Sequence, residues 1–224
     1  MGQYGGPKLQ LGSLSFLLDA GNPTSFSGTG LTVFDLVSAG IGATLVSGVG
    51  FGTTNLGSFN FVGTNDYINV SINTGLSTTE GTVIIWLKNN ENTSASESNT
   101  GFIGFGTGAQ NDHYPWTDGT AYLSTFRNAR TGSITLSTSV TRSNIHMVSI
   151  TSNSTEWKLY QNAVLQYTTS SSGSVTMTRT RIGYSIDQAY RYMGKVYYFM
   201  LYNRALTADE IIKIYNATKG RYGL

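Results

Sequence analysis

Short apolar runs separated by clusters of Gly, Asn and Ser recur along almost the whole sequence, as expected for strands joined by turns. Runs at 14–18, 44–46, 58–61, 67–72, 82–87, 102–105 and 121–126 read as strands. So do those at 134–136, 146–151, 156–161, 164–169, 180–184 and 195–202. Some alternate. In EWKLYQ, Trp157 and Leu159 fall on one face and Lys158 and Tyr160 on the other, because successive strand side chains point in opposite directions. Others, VIIW at 83–86 and YYFMLY at 197–202, are apolar without interruption and predict strands buried on both faces. This series predicts an all-β fold of two packed antiparallel sheets.

One stretch has a helical period instead. In TADEIIKIYNATKG, Thr207 and Glu210 stand at capping-box spacing, so the hydroxyl can satisfy an orphan amide while the carboxylate reaches back. Asp209 and Glu210 suit the positive end of a helix dipole, Ile211, Ile214 and Tyr215 form an apolar stripe, and Gly220 is a stop. A short C-terminal helix starting near Thr207 is expected to cover an end or edge of the sandwich. The polar stretch 89–101 lies between two apolar runs and reads as a protruding loop. No Pro-rich linker, charge block or repeat divides the 224 residues. One domain over 13–216 is expected, with an extended arm at 1–12 and a tail at 217–224.

Composition narrows the function classes. Apolar residues make up 39% and aromatics 12%, enough for a substantial core, while only 12% are charged. The net charge of +2 comes without any Lys or Arg cluster, so nucleic acid is not an expected partner. Without cysteine there is no disulfide framework and no thiolate metal site. No stretch has the length of a signal peptide core or a membrane span, so neither membrane insertion nor signal-directed export is expected.

Several segments in order resemble the concanavalin A-like lectin/glucanase superfamily in its laminin-G-like jelly-roll branch. They are SFLLDAGNPTSFSGTG, GSFNFVGTNDYINV, GTVIIWLK, HMVSITSNSTEWKLYQNAVLQY and TRIGYSIDQAYRYMGKVYYFMLYNRALTADEI. The ends, YGGPKL and YNATKGRYGL, further resemble virion proteins of tailed bacteriophages that carry this fold. The resemblance implies a two-sheet antiparallel jelly-roll sandwich. Some relatives bind a structural calcium through carboxylates, but where they are acidic this chain has Val62, Tyr197 and Tyr198, so no metal or other cofactor is expected. Relatives also favour Asn-Gly in a hairpin where this chain has Asn162–Ala163. A type I′ turn there would force Ala163 to positive φ at about 1 kcal/mol, so a different turn is expected.

Catalysis is not expected. Glycosidases of this superfamily place two carboxylates across the scissile bond, usually from a Glu-x-Asp-x-x-Glu strand. The five glutamates here, Glu80, Glu91, Glu97, Glu156 and Glu210, form no such strand, and His113 and His146 are too few for a three-histidine metal site. His146 opens an apolar run and reads as a core or edge residue. Binding remains. The loop NDHYPWTD offers Asp112, His113, Tyr114, Trp116 and Asp118, and DQAYRY offers Tyr190, Arg191 and Tyr192, a mixture suited to glycans or to subunit contacts. Two readings stay open. One is a non-enzymatic surface protein of a phage particle, a capsid or tail-associated decoration whose terminal arms contact other virion proteins and copies of itself. The other is an adhesin or lectin for host surface glycan.

Overall fold

The structure is a computed structural model that describes residues 12–63, 65–70, 80–89, 100–101, 103–105, 116–117, 123–124, 126–128, 132–134, 144–170, 180–184 and 191–224. The first half carries strands β1 (Leu14–Asp19), β2 (Thr32–Phe34), β3 (Ile41–Val46), β4 (Gly50–Gly52), β5 (Ser58–Val62), β6 (Tyr67–Val70), β7 (Gly81–Asn89), β8 (Thr100–Gly101) and β9 (Ile103–Phe105). The second half carries β10 (Trp116–Thr117), β11 (Leu123–Ser124), β12 (Phe126–Asn128), β13 (Gly132–Ile134), β14 (His146–Ser152) and β15 (Glu156–Gln161). It continues with β16 (Val164–Ser170), β17 (Thr180–Ile182), β18 (Met193–Tyr202) and the helix α1 (Ala208–Thr218). The larger sheet runs β16-β15-β14-β7-β18-β5-β4, with β1 also on β18, and the smaller runs β2-β3-β6-β17-β9. The expected two-sheet antiparallel sandwich is what forms. β2, β4, β8 and β10, all short, were not foreseen as strands.

The inter-sheet core follows the strand alternation. Val83, Ile85 and Leu87 of β7 with Phe199 and Leu201 of β18 meet Leu45, Ile68 and Ile182 of the smaller sheet. Trp157 and Leu159 enter this core while Tyr160 points the other way, as the EWKLYQ pattern predicts. The uninterrupted apolar runs are buried on both faces. Ile84, Trp86, Met200 and Tyr202 belong to a second core on the outer face of the larger sheet, beneath Leu206, Ile211 and Ile214. The helix therefore lies across a face of the sandwich rather than at its end or edge, because that face is too apolar to meet water. Its start is built as expected: Thr207 Oγ1 accepts from Glu210 N–H, and Glu210 accepts from Thr207 N–H and, through two guanidinium nitrogens, from Arg204.

A bulge adapts β18 to both covers. Val196 pairs with Leu87 and Tyr198 with Trp86, so Tyr197 is an extra residue. Val196 stays in the inter-sheet core, and Tyr197 and Tyr198 both join the outer one. The other edge of β18 is shared: Met193–Val196 pair with β5 and Tyr198–Tyr202 with β1. Where those two strands meet, a Cβ on Gly21 would lie 1.6 Å from the Leu56 carbonyl oxygen, and one on Gly57 (φ +114°) 2.6 Å from that of Ala20. Only glycines permit so close an approach. Arg221 closes the junction, donating to Asp19 Oδ1 (2.6 Å) and to the carbonyls of Asn55 and Leu56 (3.2 Å each).

That contact corrects the expected free tail. α1 runs to Thr218 and a 3-10 turn follows over Lys219–Tyr222. Tyr222 is buried with its ring 4.4 Å from Trp86 and 5.3 Å from Tyr197, and Thr218 Oγ1 accepts from Trp86 Nε1. The apolar outer face recruits Tyr222, so 218–222 completes the domain. The N-terminal arm lies outside the described residues up to Leu11.

The hairpin is a second correction. Asn162 (φ 50°) and Ala163 (φ 65°) are both left-handed, as a type I′ turn requires. Asn162 is pinned to β14, its N–H donating to Met147 O and its Oδ1 accepting from Met147 N–H, and Ala163 follows despite its Cβ.

Two stability measurements follow. Ala163→Gly relieves the left-handed alanine and is expected to raise stability by about 0.5 kcal/mol, read as a higher denaturation midpoint. Tyr222→Ala removes a packed ring and is expected to cost about 3 kcal/mol. Tyr222→Phe removes a buried hydroxyl that has no hydrogen-bond partner among the described residues and is expected to be neutral or stabilising.

Candidate functional site

The outer face of the smaller sheet is built by the same alternation that fills the core. Val33, Ala43, Leu45, Ile68, Val70 and Ile182 point inward, which leaves Thr32, Phe34, Thr44, Tyr67, Asn69 and Arg181 on the outer face. Strand register sets four of these side by side: Thr32 opposite Thr44, Thr44 opposite Asn69, Asn69 opposite Arg181. The next partner is Gly104 of β9, which contributes no side chain. The result is a polar row across the sheet.

Aromatic rings border the row. On one side Tyr67 stacks on Tyr184, centroids 5.7 Å apart and planes 20° from parallel. Arg181 lies 4.6 Å from the Tyr67 centroid and Arg191 lies 5.9 Å from that of Tyr184, so two guanidinium groups flank two rings. On the β2 side Phe34 is 42% exposed.

Two guanidinium groups lie on this face. Among the described residues, Nε and Nη1 of Arg181 are buried without a hydrogen-bond partner, a state that costs about 1–3 kcal/mol per group. Among the described residues, five carboxylates are engaged elsewhere. Asp19 holds Arg221, Glu156 holds Lys158 and Glu210 holds Arg204, which depresses the Glu210 carboxyl to about 2. Asp35 accepts from Leu17 and Val37 N–H, and Asp66 from Val62 N–H. No group of three potential metal ligands occurs among the described residues.

Of the residues expected to bind a ligand, Asp112, His113, Tyr114, Asp118 and Tyr190 lie outside the described residues. Trp116 starts β10, paired with Gly101 and Ser124, and its side chain is outside the described set. Arg191 and Tyr192 part company. Arg191 is exposed on the flanked ring pair. Tyr192 is fully buried, with its hydroxyl donating to the carbonyls of Lys88 (2.8 Å) and Lys195 (3.1 Å), and it is a core residue rather than a ligand contact. Thr44, Tyr67, Asn69, Arg181 and Tyr184 were not singled out in the sequence, although the alternation in YINV and TRI already puts Tyr67, Asn69 and Arg181 opposite the core positions.

Residues 62–212 match a laminin-G-like family model described as the concanavalin A-like lectin/glucanases superfamily. Comparison with curated proteins gives no match. Among solved structures, the receptor binding domain of botulinum neurotoxin C/D mosaic serotype superposes with a TM-score of 0.70 at 16% identity, covering 91% of this chain and 51% of that one. This chain thus spans about half the length of that relative. Domain 4 of AbnA, a GH43 extracellular arabinanase from Geobacillus stearothermophilus in complex with arabinotriose, gives 0.61 at 12% identity, covering 90% of this chain and 98% of that one. Trypanosoma rangeli sialidase with the inhibitor DANA gives 0.65 at 14%, covering 90% and 32%. At such identities the likeness is one of fold.

His146, on the inner face of β14, adds a measurable property. It is buried with Nδ1 3.1 Å from the Asn144 carbonyl, so Nδ1 carries the proton, and Nε2 has no partner among the described residues. Burial lowers its pKa to about 4. As pH falls from 6.5 to 4 the unfolded chain takes up a proton that the folded one refuses, so stability present above pH 6.5 is lost through that window. The expected loss is on the order of 3 kcal/mol. Denaturation at pH 7, 5.5 and 4 should show it, and His146→Met should flatten the difference.

Proposed function

The chain belongs to the concanavalin A-like lectin/glucanases superfamily, and from that membership we propose that it is a non-enzymatic, lectin-like module that holds carbohydrate on the outer face of its smaller sheet. The observation that carries this reading is the row of Thr44, Asn69 and Arg181, in which Arg181 Nε and Nη1 have no hydrogen-bond partner among the described residues. Hydroxyl, amide and guanidinium groups in line match the donors and acceptors of sugar hydroxyls, and Phe34 beside them offers an apolar surface for sugar C–H groups. A related fold solved with arabinotriose, AbnA domain 4, supports carbohydrate as the ligand class. The described Asp and Glu side chains that hold Arg221, Lys158, Arg204 and backbone amides are structural, so no acid–base chemistry is assigned to them.

A place on a phage particle, with copies of itself and other virion proteins as partners, rests on the resemblance of the two ends. Arg221 and Tyr222 pack against the chain's own larger sheet and its β1–β5 junction. Glycan binding and a particle setting are compatible. The polar row favours the first as the activity.

A glycan array probed with a multimerised form of the chain tests the reading. Binding is expected, and Asn69→Ala should weaken it at least tenfold with an unchanged melting temperature. If no multimeric form binds any glycan, the proposal fails.

A further inference from the structure

The two guanidinium groups at this face specify the ligand further, an inference that rests on the carbohydrate reading above. Among the described residues neither Arg181 nor Arg191 has a carboxylate partner, in a chain where Arg204 and Arg221 each hold one at 2.6 Å. Arg181 is held over Tyr67 at 4.6 Å with Nε and Nη1 unpartnered, and Arg191 caps the far end of the same ring stack. Asn69 beside Arg181 adds a neutral donor, and Gly104 on its other flank projects no side chain towards it. A guanidinium fixed by ring stacking, with two buried nitrogens unpartnered, matches the charge and acceptor oxygens of an oxyanion. We propose that this face selects acidic glycans: Arg181 takes a carboxylate or sulfate oxygen, Asn69 and Thr44 take neighbouring hydroxyls, and Arg191 adds a second positive charge at the rim.

The probe is one neutral galactoside presented beside its galacturonate-terminated and 3-O-sulfated counterparts, with binding measured on an immobilised array and by titration in solution. The acidic members should bind at least tenfold more tightly than the neutral one, with the preference falling as salt is raised. Arg181→Gln should erase the preference and Arg181→Lys should restore only part of it, because a point charge lacks the fork. Arg191→Gln, at an exposed position, should lower it without changing the melting temperature and serves if Arg181 variants fold poorly. Preference for the galacturonate arm alone assigns the site to carboxylates, and for the sulfated arm alone to sulfate esters. Equal binding of all three by the native chain overturns the acidic selectivity and leaves carbohydrate binding standing. Failure to bind any of the three, or any other glycan, overturns both.

Discussion

The architecture turns on one constraint: the two central strands of the larger sheet, β7 and β18, are apolar on both faces, so that sheet needs two covers. The smaller sheet is one. The other is α1 with the 3-10 turn after it, which seals Trp86, Met200 and Tyr202 from water. The Tyr197 bulge reconciles the two demands, since without an extra residue β18 could not give two successive tyrosines to the outer core and return Phe199 to the inner one. What a pattern of alternating residues suggests is a sandwich of two layers; the protein has three.

The strands that carry this design were legible because burial leaves a direct mark on sequence. VIIW and YYFMLY have no polar residue to place on a wet face, and Thr207 with Glu210 announces a helix start through its own hydrogen bonds. The helix position was less legible, for an amphipathic stripe shows that it packs without saying on what. Ala163 misled because its cost in a left-handed turn is local, whereas the grip of Met147 on Asn162 comes from a strand that only the fold brings near. The candidate site shows the same division. Sequence attention went to aromatic-rich loops, and Tyr192 proved to be a core residue bonded to two carbonyls. The polar row draws single residues from β2, β3, β6 and β17, and nothing short of strand register aligns them.

Charge is distributed in the same economical way. With few acidic side chains in the chain, most of those described are committed to local work: closing the β1–β5 junction, capping α1, ordering the turn after β2. On the smaller sheet's outer face, Arg181 and Arg191 have no carboxylate partner among the described residues.

The position of β18 in the sheet also governs how the chain must assemble. It forms the seam between β7 and both β1 and β5, and Ser15 Oγ donates to Leu201 O across 186 positions of sequence. During synthesis β1, β5 and β7 leave the ribosome long before the strand that joins them, each carrying an apolar face and an unpaired edge. Such a topology has high contact order, which slows folding and prolongs exposure of those edges. The native pairing of β1, β5 and β7 therefore waits on residues 193–202, and the outer face around the bulge can be covered only once the helix that follows has been made.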